Sequence, residues 1–209
     1  MAIDEDNFCG LRPYLWHYTA AENLKWIKAD KRIACANTLI DQASLSDPNM
    51  RIWRRKFRER RVQLDLPDGR TISLREHHAS LPEHQGAYEK GWDRESFIEG
   101  GLNAYIFFWA GTRDGPSHVN LVQFQAPRYR SEAWVRIPSR VAFSRARALG
   151  VSFTRCNAGS PSPRGNAEPR GAETFMQRGS FSGTAGDVVE VCFSGVLSLQ
   201  DVEHTTGEP

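Results

Sequence analysis

Alternation of apolar and polar positions predicts several β-strands along the chain. It runs over residues 62–66, breaks at the turn sequence Pro67-Asp68-Gly69 and resumes over residues 71–74, which is typical of a β-hairpin. The run A-Y-I-F-F-W at 104–109 predicts a buried aromatic strand, and A-W-V-R-I at 133–137 predicts a strand with alternating faces. We expect the aromatic strand at the centre of the sheet.

Two helices are predicted near the start of the chain. Residues 16–19 (W-H-Y-T) have the character of a short strand, and Thr19 followed by Glu22 forms a capping-box pattern that predicts a helix over 20–29. Asp47-Pro48 predicts the start of the next helix, because a capping residue followed by proline suits a first helical turn. Helices and strands are therefore both expected, mixed along the chain.

Composition and length fit one globular domain over residues 1–209. Hydrophobic residues make up 40% and charged residues 25%, which allows a sizeable core and argues against a disordered chain. The segment 1–7 is acidic and polar and lacks the features of a secretory leader. No apolar run approaches the roughly 20 residues that cross a bilayer. We therefore expect a cytoplasmic protein with no membrane partner.

The cysteines give no sign of a metal site. Cys9, Cys35, Cys156 and Cys192 lie far apart, with no C-x-x-C pair and no histidine at ligand spacing. Structural zinc sites and disulfide frameworks need closer, patterned cysteines. We therefore predict no metal.

Positive charge is concentrated in one segment, although the net charge of the chain is only +2. One interpretation is a solvated helix face whose long basic stems cover apolar surface. The other is phosphate binding, because arginine forks match phosphate oxygens and clustered cations gain from counterion release. The pattern leaves both open. The basic residues of the segment are Arg51, Arg54, Arg55, Lys56, Arg58, Arg60 and Arg61.

Glu190 is a carboxylate within an otherwise apolar strand, D-V-V-E-V-C-F at 187–193. An unpaired buried carboxylate costs free energy, so either Glu190 faces water on a half-solvated sheet or it lines a cleft. Alternation puts Val191 and Phe193 on one face and Glu190 on the other. The spacing alone favours the half-solvated sheet.

His17, Thr19 and Asn23 are a second group of polar candidates. His17 and Thr19 share one face of the predicted strand, and Asn23 follows in the first turn of the helix, so their polar groups can converge on one ligand. The simpler interpretation is that Thr19 is a helix cap, His17 an interior histidine and Asn23 a solvated helix residue.

The segment H-Y-T-A-A-E-N-L-K-W-I at 17–27 resembles the opening H-x-T-x-x-x-N-L-x-x-I of DarT-type ADP-ribosyltransferases. The order of later features is also similar: an arginine-rich segment with E-R-R at 59–61, an aromatic strand, a variable loop and a last strand with a glutamate. The hairpin at 62–74 and the loop at 155–175 depart from DarT itself. The resemblance therefore points to a related branch of that superfamily.

The resemblance implies an α+β fold in which two packed antiparallel β-sheets, flanked by helices, form a cleft for NAD. It implies that His17, Thr19 and Asn23 help to hold NAD as a co-substrate. By the same likeness, a ring of Tyr105 or Phe107 stacks on the nicotinamide.

The resemblance also implies two catalytic residues. Glu190 corresponds to the glutamate of the last strand, with Asp187 as the competing assignment. Arg61, at the end of E-R-R, corresponds to the arginine near the NAD phosphates. Arg54 and Arg58 remain alternatives, because the register within the cluster is ambiguous.

The implied function is transfer of ADP-ribose from NAD to a nucleobase of DNA or RNA, as a toxin or anti-phage defence effector with an antitoxin protein as a further partner. Alternatives are an ADP-ribosyltransferase that modifies protein and an inert nucleic-acid-binding domain. For a nucleic-acid target, we expect basic side chains along the polynucleotide backbone. These are Arg54 and Arg58 of the cluster and Arg155, Arg164, Arg170 and Arg178 of the late loop.

Overall fold

A computed structural model of the chain has an α+β fold with antiparallel sheets. It describes residues 3–43, 45–77, 81, 83, 85–117, 133–147, 149–159, 169–200 and 205–207. The predicted loop residue Arg164 lies outside these residues, as does most of the stretch between the strands that end at residue 116 and begin at residue 133.

Six α-helices and twelve strands are assigned within the described residues. The α-helices are α1 (Glu5–Leu11), α2 (Leu24–Asp30), α3 (Ala36–Gln42), α4 (Asp47–Arg55), α5 (Arg94–Phe97) and α6 (Ser139–Arg145). The strands are β1 (Tyr14–Thr19), β2 (Arg32–Ala34), β3 (Val62–Asp65), β4 (Thr71–Leu74), β5 (Tyr105–Thr112), β6 (Gly115–Pro116), β7 (Ala133–Pro138), β8 (Val151–Thr154), β9 (Met176–Gln177), β10 (Glu190–Ser194), β11 (Val196–Ser198) and β12 (Thr205–Gly207).

The main sheet of the described chain has eight strands in the order β12-β7-β1-β5-β10-β8-β9, with β6 paired to β5. Two two-stranded sheets accompany it, β2 with β11 and β3 with β4. The predicted aromatic strand, β5, lies between β1 and β10, which confirms its expected central position. The predicted hairpin is also confirmed, and Gly69 in its turn has a φ of +81°, a conformation that glycine adopts without strain.

The two faces of the main sheet have different packing. One face, here called the core face, carries Leu15, Phe108, Val191 and Phe193, which are fully buried in the largest hydrophobic cluster. Because side chains alternate along a strand, the neighbours of these residues point to the opposite face. This second face, the aromatic face, carries the cluster of Trp16, Trp109 and Trp134 with Tyr14 and Tyr18.

The predicted capping box at the start of the first predicted helix is wrong. Residues 21–23 form a short 3₁₀ turn with no side-chain cap, and the α-helix itself is Leu24–Asp30. The Thr19 hydroxyl lies within β1 and accepts a hydrogen bond from the Asn23 amide at 3.3 Å instead. The next helix begins as predicted, with proline in its first turn, but Ser46 holds the capping position before Asp47.

Candidate functional site

His17, Thr19 and Asn23 line one cleft, the convergence that the resemblance to DarT-type enzymes implies. The cleft, here called the α2 cleft, is lined along one side by successive turns of α2 and contains all three residues. The interior volume of the cleft is about 70 Å³, and the space continues into open solvent at its mouth. Small-molecule sites in proteins have volumes of roughly 300–1,000 Å³, so a ligand of metabolite size would extend beyond the enclosed part of the cleft.

The β3–β4 hairpin forms the other side of the α2 cleft through Leu66, Arg70 and Ile72. Asn23 fixes this hairpin in place: its amide nitrogen donates to the carbonyl of Ser73 at 2.8 Å, and its amide oxygen accepts from the Ser73 backbone N–H at 2.9 Å. Both polar atoms of the Asn23 side chain are thus engaged with the hairpin.

β1 and β5 separate beside His17. Only residues 14–16 of β1 pair with β5, at residues 109–111. Residues 17–19 of β1 continue to pair with β7, and residues 105–108 of β5 continue to pair with β10. We call the gap between these two stretches the fork. The fork lies in the middle of the main sheet, beside His17, which also lines the α2 cleft.

The His17 ring bridges the fork. Its Nδ1 lies 3.0 Å from the carbonyl oxygen of Phe107, so Nδ1 carries the proton and donates, since a carbonyl only accepts. Burial lowers the pKa of His17 from 6.5 to about 4, with a smaller contribution from the nearby Arg75 guanidinium. The ring is therefore neutral at pH 7, and its Nε2 has a lone pair that can accept a hydrogen bond from a ligand hydroxyl.

Glu190 is buried on the aromatic face, only 3% exposed. Its Oε1 accepts a hydrogen bond from the indole N–H of Trp109 at 3.2 Å, and its Oε2 accepts from the backbone N–H of Ala158 at 2.8 Å. The Thr154 hydroxyl lies 3.4 Å from Oε2. The half-solvated sheet that the spacing favoured is therefore wrong at this position, because strand β8 and the loop that follows it enclose the carboxyl.

Burial raises the pKa of Glu190 from 4.5 to about 7. The hydrogen bonds from Ala158, Trp109 and Thr154 and the charge of Arg170 act in the opposite direction and limit this rise. A carboxyl with a pKa near 7 exists in both protonation states at neutral pH, which suits a general base or acid. Strongly shifted carboxyls of this kind are concentrated at functional sites.

Tyr105 and Phe107 lie on the same face of the sheet as Glu190, because Trp109 pairs with Glu190 and Phe107 pairs with Cys192. The Tyr105 ring stacks on Phe175 with ring centres 4.8 Å apart, and the Phe107 ring contacts Phe175 edge to face at 6.1 Å. The predicted stacking partners of nicotinamide are thus packed against Phe175, on the aromatic face.

The structure therefore separates the predicted site into two groups. His17 and Thr19 share the face of Leu15, and the His17 ring lies 5.3 Å from the Phe108 ring on the core face. Glu190 lies on the aromatic face, beside Trp109. Trp109, which pairs with Glu190, is also the last β5 residue that pairs with β1, so Glu190 lies one strand away from the fork.

Arg58 does not belong to an exposed basic face. It is 6% exposed, and its guanidinium donates to the carbonyl of Arg75 at 2.8 Å and to Oδ1 of Asn103 at 2.9 Å. A side chain in this position connects α4 to the residues after the hairpin and is not available to a polynucleotide. Arg58 is therefore not the exposed basic side chain that contact with a polynucleotide backbone was expected to use.

Arg170 is also buried, at 4% exposed, and its Nη1 donates to the sulfur of Cys156 at 2.7 Å. Its backbone N–H donates to the carbonyl of Ala87 and its carbonyl accepts from the N–H of Glu89. The late loop is thus attached to residues 87–89, and the prediction that Arg170 is an exposed backbone contact is wrong. The side chain supports the surroundings of Glu190 instead.

The remaining predicted arginines are at the surface, but most of them have acidic partners. Arg54 pairs with Asp41, Arg61 with Glu22 at 3.4 Å, and Arg178 with Glu5 at 2.6 Å. Arg155 is exposed and donates to the Ser182 hydroxyl at 2.6 Å. Arg61 does not line the α2 cleft, whereas Arg70 does.

Sequence reasoning missed the partners of Glu190, which are Trp109, Thr154 and the Ala158 N–H. They come from β5, β8 and the loop after β8, and only strand pairing brings them together. It also missed Arg70, whose one local signal is its place directly after the Asp68-Gly69 turn. In the described part of the chain, no group of three or more histidine, cysteine, aspartate or glutamate side chains is arranged to hold a metal ion.

A model of a family of unknown function, DUF7002, matches residues 13–200. Neither a curated protein nor a solved structure matches the chain. Among the described helices, none has the length and apolar character that crossing a membrane requires. The match extends over most of the sequence, from β1 to the end of β11, and the chain therefore belongs to the DUF7002 family.

Proposed function

We propose that this protein is an NAD-dependent ADP-ribosyltransferase with an ADP-ribosyltransferase-like fold, and that its target is a nucleobase of DNA or RNA. One observation carries the proposal. A buried carboxyl with a pKa near 7, Glu190, lies beside a fork in the main sheet, and the motif residue His17 bridges that fork from the other side. The likeness of residues 17–27 to DarT-type enzymes supplies the reaction.

The α2 cleft has the residues to hold the co-substrate. The Nε2 of His17 can accept a hydrogen bond from a ribose hydroxyl, and the Trp26 indole and the Asp30 carboxylate line the same cleft. Apolar walls from Ile27, Ile33 and neighbouring residues complete it. An aromatic surface, a few polar groups and a mostly apolar lining are the usual composition of a cofactor site.

Glu190 would act at two points of the transfer, the build-up of positive charge on the ribose and the loss of a proton from the target base. As the bond between nicotinamide and C1″ of the ribose breaks, the ribose gains positive charge and nicotinamide leaves as a neutral molecule. A carboxylate held beside the fork stabilises that charge. A nitrogen of the target base then bonds to C1″ and gives up its proton, which the Glu190 carboxylate accepts as general base.

A nucleobase target follows from the family likeness, which also implies a toxin or phage-defence role. Arg155, exposed on the loop beside Glu190, supports contact with a polynucleotide. The second candidate is transfer to protein. It is favoured by the acidic partners of Arg54, Arg55 and Arg61, which leave less uncompensated positive charge than the sequence suggested.

Incubation of the purified protein with NAD and, separately, single-stranded DNA, RNA and mixed cell protein tests the proposal. Mass spectrometry of each polymer is expected to find added ADP-ribose on a nucleic acid. Transfer to protein alone would support the second candidate. No transfer to any polymer, together with no NAD binding by calorimetry, would leave the inert nucleic-acid-binding domain as the remaining interpretation.

A further inference from the structure

The β3–β4 hairpin lies along α2 through three contacts in sequence order. Ser73 contacts Asn23, the Thr71 carbonyl accepts from the indole N–H of Trp26 at 3.1 Å, and Arg70 pairs with Asp30. Asn23 directly precedes α2, and Trp26 and Asp30 lie about one turn apart on one side of the helix. The hairpin therefore runs beside the helix for its whole length, which is about 10 Å at 1.5 Å per residue.

The α2 cleft has a near end and a far end along this direction. At the near end, Asn23 contacts Thr19, and His17 stands in the fork. At the far end, Arg70 lines the cleft together with Trp26 and Asp30. The Arg70 guanidinium is 5.8 Å from the centre of the Trp26 ring. The Lys25 ammonium also lies 4.4 Å from the centre of the Trp26 ring. Cations beside an aromatic ring, at the end of α2 away from His17, are an arrangement that suits a nucleotide phosphate and its base.

We propose that the hairpin is a co-substrate-binding element and that Arg70 binds a phosphate of the dinucleotide. This inference rests on the proposed function. With C1″ at the fork, the phosphates and the adenosine of NAD extend along α2 towards Arg70. Arg70, and not Arg61, is then the arginine near the phosphates. Asn23 is a positioning residue, because both of its polar atoms hold the hairpin.

The existing partners of Arg70 are compatible with this role. Its guanidinium is held by Asp30 and by the exposed Asp68, which lies 2.6 Å from Nη2. These two carboxylates orient the planar guanidinium of Arg70, and a phosphate can replace the solvent-exposed Asp68 as the partner of that guanidinium. The adenosine portion would lie against Trp26, where Asp30 can accept hydrogen bonds from ribose hydroxyls.

Calorimetric titration with NAD and with ADP tests the inference, because ADP keeps the phosphates and adenosine and lacks the nicotinamide ribose. Arg70→Gln is expected to weaken binding of both ligands about tenfold or more, equivalent to roughly 1.4 kcal/mol. Arg61→Gln is the matched control, since Arg61 also flanks the hairpin and pairs with one carboxylate but does not line the cleft. It is expected to bind both ligands as the wild type does.

Arg70→Lys is a second variant that perturbs the hairpin less, because it keeps the positive charge and loses only the planar guanidinium. It is expected to bind ADP several-fold more weakly while unfolding at the wild-type temperature. If the wild type binds NAD and the Arg70 variants bind it equally well, the inference is overturned and the proposed function stands. If the wild type binds neither NAD nor ADP, both the inference and the proposed function are contradicted.

Discussion

The two faces of the main sheet hold the two halves of the candidate site in contrasting ways. On the core face, His17 and Asn23 border an open cleft, and their neutral polar groups contact backbone carbonyls. On the aromatic face, Glu190 is an ionisable group enclosed by Trp109, Thr154 and Ala158. The first arrangement suits binding, and the second suits proton transfer. Under the proposed function, the core face would bind the co-substrate and the aromatic face would transfer the proton, and each of the following variants tests this division.

The largest effect is expected for Glu190→Gln. Loss of the general base and of the negative charge should lower the rate of transfer by roughly 10²–10⁴-fold. NAD affinity should fall much less, because most of the dinucleotide would lie in the α2 cleft and only its positive nicotinamide end would face Glu190. Single-turnover kinetics and calorimetry measure the two quantities separately.

Asp187→Asn is the control for this variant. Asp187 is the competing carboxylate, and it caps a short turn by accepting from the Thr184 N–H at 2.7 Å. We expect it to reduce transfer far less. A larger loss with Asp187→Asn than with Glu190→Gln would reverse the assignment.

The next effect is expected in the pH dependence of stability, which should differ between His17 on the core face and Glu190 on the aromatic face. The raised pKa of Glu190, about 7 against 4.5, contributes stability below pH 4.5 that is lost as the pH rises to 7. The lowered pKa of His17, about 4 against 6.5, contributes stability above pH 6.5 that is lost as the pH falls to 4. Each contribution is about 3 kcal/mol at most.

These contributions oppose each other between pH 4.5 and 6.5, so single variants separate them. In urea unfolding at several pH values, Glu190→Gln should make the free energy of unfolding rise more steeply with pH. His17→Asn should make it rise less steeply. Identical pH profiles for the two variants and the wild type would show that neither group is buried in the way described.

A smaller effect is expected when the hairpin is loosened. Asn23→Ala removes the amide that holds Ser73 and should cost roughly 1–3 kcal/mol of stability, because two backbone groups lose their partner. It should also weaken NAD binding while leaving the pKa of Glu190 unchanged. Gln63→Ala is the control, since the Gln63 amide donates to the Ser73 hydroxyl from within the hairpin and does not hold the Ser73 backbone as Asn23 does.

The last test is the pH profile of transfer itself. With Glu190 as the base and a pKa near 7, the rate should fall about tenfold for each pH unit below 7 and level off above it. The residual transfer by Glu190→Gln should lack this dependence. A wild-type rate that stays constant from pH 5 to 8 would exclude proton transfer to Glu190 as a limiting step.

Local patterns in the sequence predicted the hairpin, the central strand and the two faces of β10, because alternation and turn chemistry are properties of a few adjacent residues. They also indicated that the polar groups of His17, Thr19 and Asn23 can converge on one ligand, and all three residues line the α2 cleft. Local patterns do not reveal which face of one strand matches a face of another, since that depends on register across the sheet. The separation of His17 from Glu190 therefore had no signal in the sequence.

Burial of charged residues was the second property that the sequence did not reveal. Arg58 and Arg170 stand among arginines that are exposed, and composition does not distinguish them. Their buried positions depend on distant partners, Asn103 for Arg58 and Cys156 for Arg170. The same holds for Glu190, whose enclosure depends on the loop after β8.

The central claim is that one dinucleotide reaches Glu190 from the α2 cleft across the fork. The pKa of the Glu190 carboxyl, followed by carbon NMR with and without ligand and assigned with Glu190→Gln, tests it directly. The account predicts that NAD lowers this pKa, because the positive nicotinamide ring favours the carboxylate, and that ADP, which lacks the ring, leaves it unchanged. An equal pKa with NAD, ADP and no ligand, while NAD binds, would contradict the account.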